Sequence, residues 1–252
     1  MTPTIEETGD YIAKAGKAAW EVPGLDENTP QREIKTVGII GAGTMGGGIA
    51  MNFATAGYDV KIVETTQEAL DRGLKVVRGN YQRSADKGRF PQEEVEARMN
   101  RFDGRLELAD LADCDLVIEA VFENMDLKRK IFTELDSVMK KGAILATNTS
   151  ALDINEIAAM TRLLEIVRAE HTADDVVATS MALAQKINKI AALVGVCPGF
   201  VGNRILFARQ IQANKLLAKG LMPWDVDAAL NQFGFKMGPF QMSDLAGLDI
   251  GW

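Results

Sequence analysis

The sequence predicts an α/β fold: a doubly wound, mostly parallel sheet with an inserted helical hairpin, followed by an all-helical second domain that is incomplete. Three observations predict it. Short apolar, β-branched runs alternate with helical stretches from Lys35 to about Val196, the pattern of a parallel sheet covered by helices on both faces. A glycine-punctuated turn, G-A-G-T-M-G (Gly41–Gly46), joins the first strand of that alternation to its first helix. After Cys197-Pro198-Gly199 only helical spacing remains, because proline and glycine stop the last strand.

In chain order, Ile5–Trp20 has helical apolar spacing and Val22–Pro30 is rich in turn residues, so residues 1–34 read as a helix plus linker. Strands are expected after Lys35, over Asp59–Val63, Leu116–Val121, Ile144–Thr147, Leu163–Val167 and Ala191–Val196. Helices are expected over Met45–Thr55, Leu127–Met139, Asp153–Met160 and Ala173–Asn188. Gln67–Lys87 and Gln92–Asn100, the second opened by Pro91, form the inserted hairpin. Phe200 begins the helical run that carries Asn203. The domains are therefore 1–34 (helix and linker), 35–197 (α/β) and 198–252 (helical, incomplete).

The glycine turn carries the first functional reading. In K-T-V-G-I-I-G-A-G-T-M-G (Lys35–Gly46), Gly41 makes the tight turn, Gly43 lets backbone approach a pyrophosphate and Gly46 allows close helix-to-strand packing. Thr44 and Met45 add amide groups at a helix start whose positive dipole end faces the phosphates. Glu64 closes the second strand eighteen residues after Gly46. A carboxylate there accepts hydrogen bonds from an adenosine ribose 2′-OH and repels a 2′-phosphate, which favours NAD over NADP and makes the fold Rossmann-like. The plainer alternative is an ordinary glycine turn with Glu64 as a solvated strand end.

Composition narrows the partners. The 252 residues include 28 basic and 35 acidic side chains, a net charge of −7, which argues against nucleic acid, since phosphate contacts need a basic surface. Cys114 and Cys197, the only cysteines, match no metal or redox spacing, so no metal is expected and a reducing cytoplasm is the natural compartment. No charged-then-apolar leader and no apolar run near 18 residues point to secretion or a membrane span.

Five motifs in order, G-A-G-T-M-G, V-I-E-A-V-F-E-N (Val117–Asn124), T-N-T-S-A-L (Thr147–Leu152), C-P-G-F-V-G-N-R (Cys197–Arg204) and G-P-F-Q-M-S-D-L-A-G-L-D (Gly238–Asp249), resemble the L-3-hydroxyacyl-CoA dehydrogenase family. The segment before Lys35 is similar to the connector between hydratase and dehydrogenase parts of bacterial multifunctional fatty-acid oxidation proteins. The resemblance implies NAD-dependent oxidation of a 3-hydroxyacyl-CoA to the 3-ketoacyl-CoA in fatty-acid β-oxidation. It places Ser150 and Asn203 at the substrate's oxygens and the catalytic base, Glu165 behind that base, Glu123 and Lys128 beside the nicotinamide ribose, and Lys87 on the CoA moiety. Each has a plainer reading: Ser150 as the cap of Asp153–Met160, Asn203 as a polar group near a helix start, Glu165 as an outward strand residue. Glu123 and Lys128 also suit an ordinary helix start, and Lys87, with Arg78, Arg83 and Arg89, a solvated helix face.

The chain departs from the family at its base. The family's histidine lies in a G-x-H-F-x-x-P segment, and here Thr161 runs straight into Arg162-Leu-Leu-Glu-Ile-Val. One strand with its loops, about 15 to 20 residues at ordinary sizes, is missing. The shortened chain then either moves Leu163–Val167 into the vacated slot or leaves a gap and an unpaired edge. His171, the only histidine, precedes Thr172 and Asp175, which resemble a helix N-cap and its reciprocal acid, so it reads as a surface residue. Three functions compete: an impaired 3-hydroxyacyl-CoA dehydrogenase, a non-catalytic NAD-binding module in an oxidation complex, and an NAD-dependent dehydrogenase of another hydroxyacid. The short helical domain, with Phe233, Phe235, Phe240 and Trp252 needing cover, predicts an exposed apolar patch or association, as a homodimer or within a larger complex.

Overall fold

The structure, a computed structural model, describes residues 5–122, 124–148 and 163–246. Described residues up to Leu193 form one compact unit and those from Val194 onward a second.

The first unit is built on β1 (Thr36–Ile40), β2 (Asp59–Val63), β3 (Phe102–Arg105), β4 (Leu116–Glu119) and β5 (Ile144–Thr147). They form one parallel sheet in the order β3-β2-β1-β4-β5. The chain winds outward from β1 to β2 and β3, then returns to lay β4 and β5 on the other side, so the order reverses between β1 and β4. In open sheets of this kind the ligand crevice lies at that reversal, beyond the carboxyl ends of the strands. The register aligns those ends: Ile40 pairs with Val63 and with Glu119, and Glu119 with Thr147.

Both sheet faces are apolar because both are covered. On one, Val37, Ile39, Val60 and Ile62 pack with Ala50, Phe53 and Ala54 of α2 (Thr44–Thr55). On the other, Ile40, Val63 and Val117 pack with Ile131 and Leu135 of α5 (Met125–Val138). The inserted hairpin is α3 (Gln67–Asp86) and α4 (Glu93–Met99). Its core joins Val77, Tyr81 and Val95, and Arg98 lies 3.8 Å from the centre of the Phe90 ring.

β3 was not expected. Its sequence, F-D-G-R, has a single large apolar residue and no alternation, and its place is set by backbone pairing with β2. β4 ends at Glu119, two residues earlier than expected, because the Glu119 carboxylate takes the Val121 N–H at 2.7 Å and turns the chain.

β6 (Leu163–Arg168) and β7 (Ile190–Gly195) form a separate two-stranded sheet. Among the described residues β5 therefore pairs only with β4, the gap alternative rather than substitution into the vacated slot. The helix between them, α6 (Asp174–Lys186), joins the two sheets. Val176 and Leu183 pack on the main core, while Val177, Met181 and Ala184 pack with Ala191, Leu164 and Ile166.

The leading segment also packs here: Trp20, at the end of the expected helix, and Val22 and Leu25 of the expected linker join the α6–β7 cluster. Arg32 makes a two-pronged pair with Asp175 at 2.8 and 3.0 Å, donates its backbone N–H to Thr179 Oγ1 and its guanidinium to the Gly142 carbonyl. On α1 (Ile5–Ala18), Tyr11 and Ile12 are exposed.

The second unit contains α7 (Gly202–Leu217), α8 (Pro223–Phe233) and α9 (Pro239–Ala246). Its first helix starts at Gly202 rather than Phe200, since Gly199 and Phe200 both have positive φ, 73° and 43°, in the turn before it. Buried Asp227 of α8 accepts the Phe240 and Gln241 N–H groups at 3.0 and 2.9 Å, capping α9 from outside. Ile205, Phe207, Ile211, Trp224 and Phe233 are exposed on this unit, and Trp252 lies outside the described residues.

Candidate functional site

The carboxyl end of the main sheet carries the loop Gly41–Gly46. Gly41 has φ +100°, and a Cβ there would lie 2.7 Å from the Ala120 carbonyl oxygen. At Gly46 a Cβ would lie 1.8 Å from the Gly41 oxygen, so helix α2 and its entry turn touch backbone to backbone. Gly43 differs, with nothing within 4 Å of an added Cβ. Open space therefore lies beside the loop where a pyrophosphate would approach, and the first amides of α2, from Thr44, Met45 and Gly46, open onto the same end without a side-chain cap. The loop fits the diphosphate of a dinucleotide.

Glu64, half-buried after β2, accepts the Ala42 N–H at 2.8 Å through one carboxylate oxygen and the Thr65 N–H at 3.0 Å through the other. Each oxygen keeps a further lone pair. Glu64 thus braces the glycine loop while leaving acceptor capacity for a ribose hydroxyl, a bracing contact that strand-end reasoning alone does not reveal.

Across the order reversal the sheet ends in a buried charged cluster. Glu119, 0% exposed, accepts Lys128 Nζ at 2.9 and 2.7 Å, the Thr147 hydroxyl at 2.6 Å and the Val121 N–H. Lys128, 9% exposed, also reaches Thr147 Oγ1 at 3.3 Å. Lys128 was expected beside a nicotinamide ribose, and the structure joins it to a carboxylate that sequence reasoning passed over. The available signal was an acid inside an apolar strand, L-V-I-E, since a buried carboxylate needs a partner.

The remaining expected residues are scattered. Glu123 and Ser150, and the helix expected over Asp153–Met160, lie outside the described residues. Asn203, 6% exposed, sits in the first turn of α7 in the second unit. Glu165 is half-buried in β6. Lys87 is exposed just after α3. Nearby Arg78 pairs with Glu96 and Arg83 with Asn80.

His171 is exposed in the turn before α6. The cap expected beside it does not form: the N-cap is Ala173, Thr172 Oγ1 accepts the Ala169 N–H at 3.0 Å, and Asp175 is taken by Arg32. That guanidinium holds the Asp175 carboxyl below its ordinary range.

Burial raises the Cys114 thiol to about 11, which makes it unreactive at neutral pH. Among the described residues no cluster of three His, Cys, Asp or Glu could hold a metal, and no helix is long and apolar enough to cross a membrane.

A parallel sheet with a glycine loop at its order reversal and an acid closing the neighbouring strand defines a dinucleotide-binding dehydrogenase fold. Residues 36–163 match the 3-hydroxyacyl-CoA dehydrogenase, NAD binding domain, and residues 199–252 the 3-hydroxyacyl-CoA dehydrogenase, C-terminal domain. The chain belongs to the 3-hydroxyacyl-CoA dehydrogenase family, and its cofactor is NAD.

Among solved structures, M. tuberculosis FadB2 superposes with a TM-score of 0.80 at 31% identity, covering 87% of this chain and 85% of that one. The (S)-3-hydroxybutyryl-CoA dehydrogenase PaaH1 from Ralstonia eutropha gives 0.78 at 32%, covering 86% and 84%. The peroxisomal bifunctional enzyme of Cavia porcellus is 42% identical over 96% of this chain but only 36% of its own length. The chain thus spans about a third of the length of the curated relatives it matches. That alignment runs over 263 positions and takes up 96% of 252 residues, about 242, so about 21 positions of the relative have no counterpart here.

Proposed function

We propose that this chain is the dehydrogenase portion of a fatty-acid β-oxidation protein, which binds NAD firmly and oxidises 3-hydroxyacyl-CoA to 3-ketoacyl-CoA slowly. The observation that carries the reading is the loop itself: open space at Gly43, bracing by Glu64, and uncapped amides at the start of α2. NAD, when bound, supplies the hydride acceptor. Gly41, Gly43, Thr44, Met45 and Gly46 receive its diphosphate, Glu64 its adenosine ribose, and Glu123 with Lys128 its nicotinamide ribose. Ser150 and Asn203 hydrogen-bond the substrate's oxygens, Glu165 stands in the second rank, and Lys87 meets the CoA phosphates.

The family's base has no counterpart among these residues. The one histidine is exposed at the turn before α6, and the roughly 21 unmatched positions fit the loss of the segment that holds the base in the family. Removing a general base costs about 10²- to 10⁴-fold. The same observation favours a second reading, a non-catalytic NAD-binding module within an oxidation complex.

We assign 1–34 to a leading segment, 35–197 to the NAD domain and 198–252 to a helical domain. The exposed Ile205, Phe207, Trp224 and Phe233 support association, with a second copy or within a larger complex. Two free thiols, Cys114 and Cys197, support a reducing compartment, the cytoplasm.

Titration with NADH, followed by fluorescence, and oxidation of 3-hydroxybutyryl-CoA, followed as NADH formation, test the reading. Tight NADH binding with turnover reduced about a hundredfold or more is expected. No turnover at all would establish the module, and family-level turnover abolished by His171→Ala would show that this histidine supplies the base. No NADH binding would end both readings.

A further inference from the structure

Glu119 is the most deeply buried acid of the described residues. It closes β4, and its donors come from three separate pieces of the rim: the Val121 N–H beyond β4, the Thr147 hydroxyl at the end of β5, and Lys128 from α5. Its own carbonyl accepts the Asn148 N–H at 2.7 Å, so side chain and backbone together hold the tips of β4 and β5. A buried ion pair of this kind contributes little net stability compared with an apolar pair of equal volume, while removal of either partner strands a charge. Its presence therefore has a reason other than stability.

Position supplies one. Glu64 closes β2 on the adenosine side of the reversal between β1 and β4, and Glu119 closes β4 on the opposite side, the half left to the nicotinamide. The nicotinamide ring is cationic when oxidised and neutral when reduced, so the net charge of this half acts on one redox form more than on the other. The Glu119 carboxylate offsets the charge of Lys128, and without it that half would be one unit more positive and less favourable to the oxidised ring than to the reduced one.

We propose that Glu119 is a positioning residue of the nicotinamide half: it holds the ends of β4 and β5 together and neutralises Lys128, and thereby sets the preference between oxidised and reduced cofactor. The proposal rests on the NAD reading and assigns a task separate from the grip of Glu64 on the adenosine ribose.

The test titrates the whole chain and its variants with NAD⁺, NADH and ADP. Glu119→Gln keeps the shape and removes the charge. It is expected to weaken NAD⁺ by about tenfold, NADH by clearly less, and ADP not at all. Lys128→Met strands the opposite charge and moves the NAD⁺-to-NADH affinity ratio the other way. Thr147→Val keeps both charges and weakens NAD⁺ and NADH alike. A double variant, Glu119→Met with Lys128→Met, is neutral and apolar, folds where a single variant does not, and keeps the wild-type ratio.

A ratio unchanged in Glu119→Gln, or shifted in the double variant, overturns this proposal alone, as does an equal loss of all three ligands in folded Glu119→Gln. Wild-type chain that binds none of the three overturns the NAD reading and this proposal with it.

Discussion

The main sheet and the β6–β7 pair are two sheet neighbourhoods held by different means. In the first, β1, β2 and β4 have a strand on each side, and the core is made by residues of the strands and the helices that connect them. In the second, two strands have only each other as partners among the described residues. Their apolar faces are covered by α6 together with Trp20, Val22 and Leu25 from the far N-terminal segment, and Arg32 fastens that segment to Asp175. Where a backbone ladder is interrupted, side chains from distant sequence replace it. That substitution is less cooperative, since a small sheet is marginal without packing from outside.

The main sheet is most sensitive at Gly46. A valine there must displace the Gly41 carbonyl, so Gly46→Val is expected to cost about 3 kcal/mol or more and to abolish NADH binding, read by denaturant unfolding and fluorescence titration. Retained binding would mean that the contact between α2 and its entry turn is loose.

Met181→Ala empties the cluster between α6 and β7 and should cost about 2 to 3 kcal/mol. Hydrogen exchange should show the lost protection in β6, β7 and α6, with β1, β2 and β4 spared. Uniform loss across both sheets would show that they unfold as one body.

Trp20→Ala removes a half-buried ring from the same cluster, at about 1 to 2 kcal/mol, with the same regional pattern in exchange. No change would make the N-terminal segment a passive neighbour rather than a cover.

Arg32→Ala should have a smaller effect, visible mainly in pH dependence. The folded Asp175 carboxyl lies below its ordinary value of 3.8 because of Arg32, so its contribution is present above that pH and lost as pH falls through the folded value. The variant should therefore lose this acid-sensitive part of the unfolding curve and little else.

Cys114 gives the least effect on stability and a simple control. Its raised value, from 9.0 to about 11, keeps its contribution full below pH 9 and removes it as pH rises through 11. A thiol reagent at neutral pH should label half-buried Cys197 well before Cys114.

Legibility in the sequence follows from how local each feature is. The strand–glycine loop–helix unit and the position of Glu64 were readable because each depends on neighbours a few residues apart: β-branched runs, the φ +100° turn at Gly41, a strand ending in an acid. β3 was not readable, because F-D-G-R has no periodicity and is a strand only where β2 offers its edge. The cap expected at Thr172 failed because Asp175 found a stronger partner 143 residues away in Arg32. Glu119 left a partial trace as an acid in an apolar run, but its partners lie 9 and 28 residues on, in a helix and a strand that only folding brings together.

What the sequence determined by itself was the fold class, the glycine turn between the first strand and its helix, and the presence of a single histidine, His171, since turn chemistry, periodicity and composition are properties of the chain before it folds. Tertiary structure alone decided that β5 and β6 part into separate sheets, that the N-terminal segment covers the second of them, and that Lys128 is held by Glu119. Those outcomes are choices of partner through space, and a buried charge or an open apolar face selects whichever group the completed packing delivers to it.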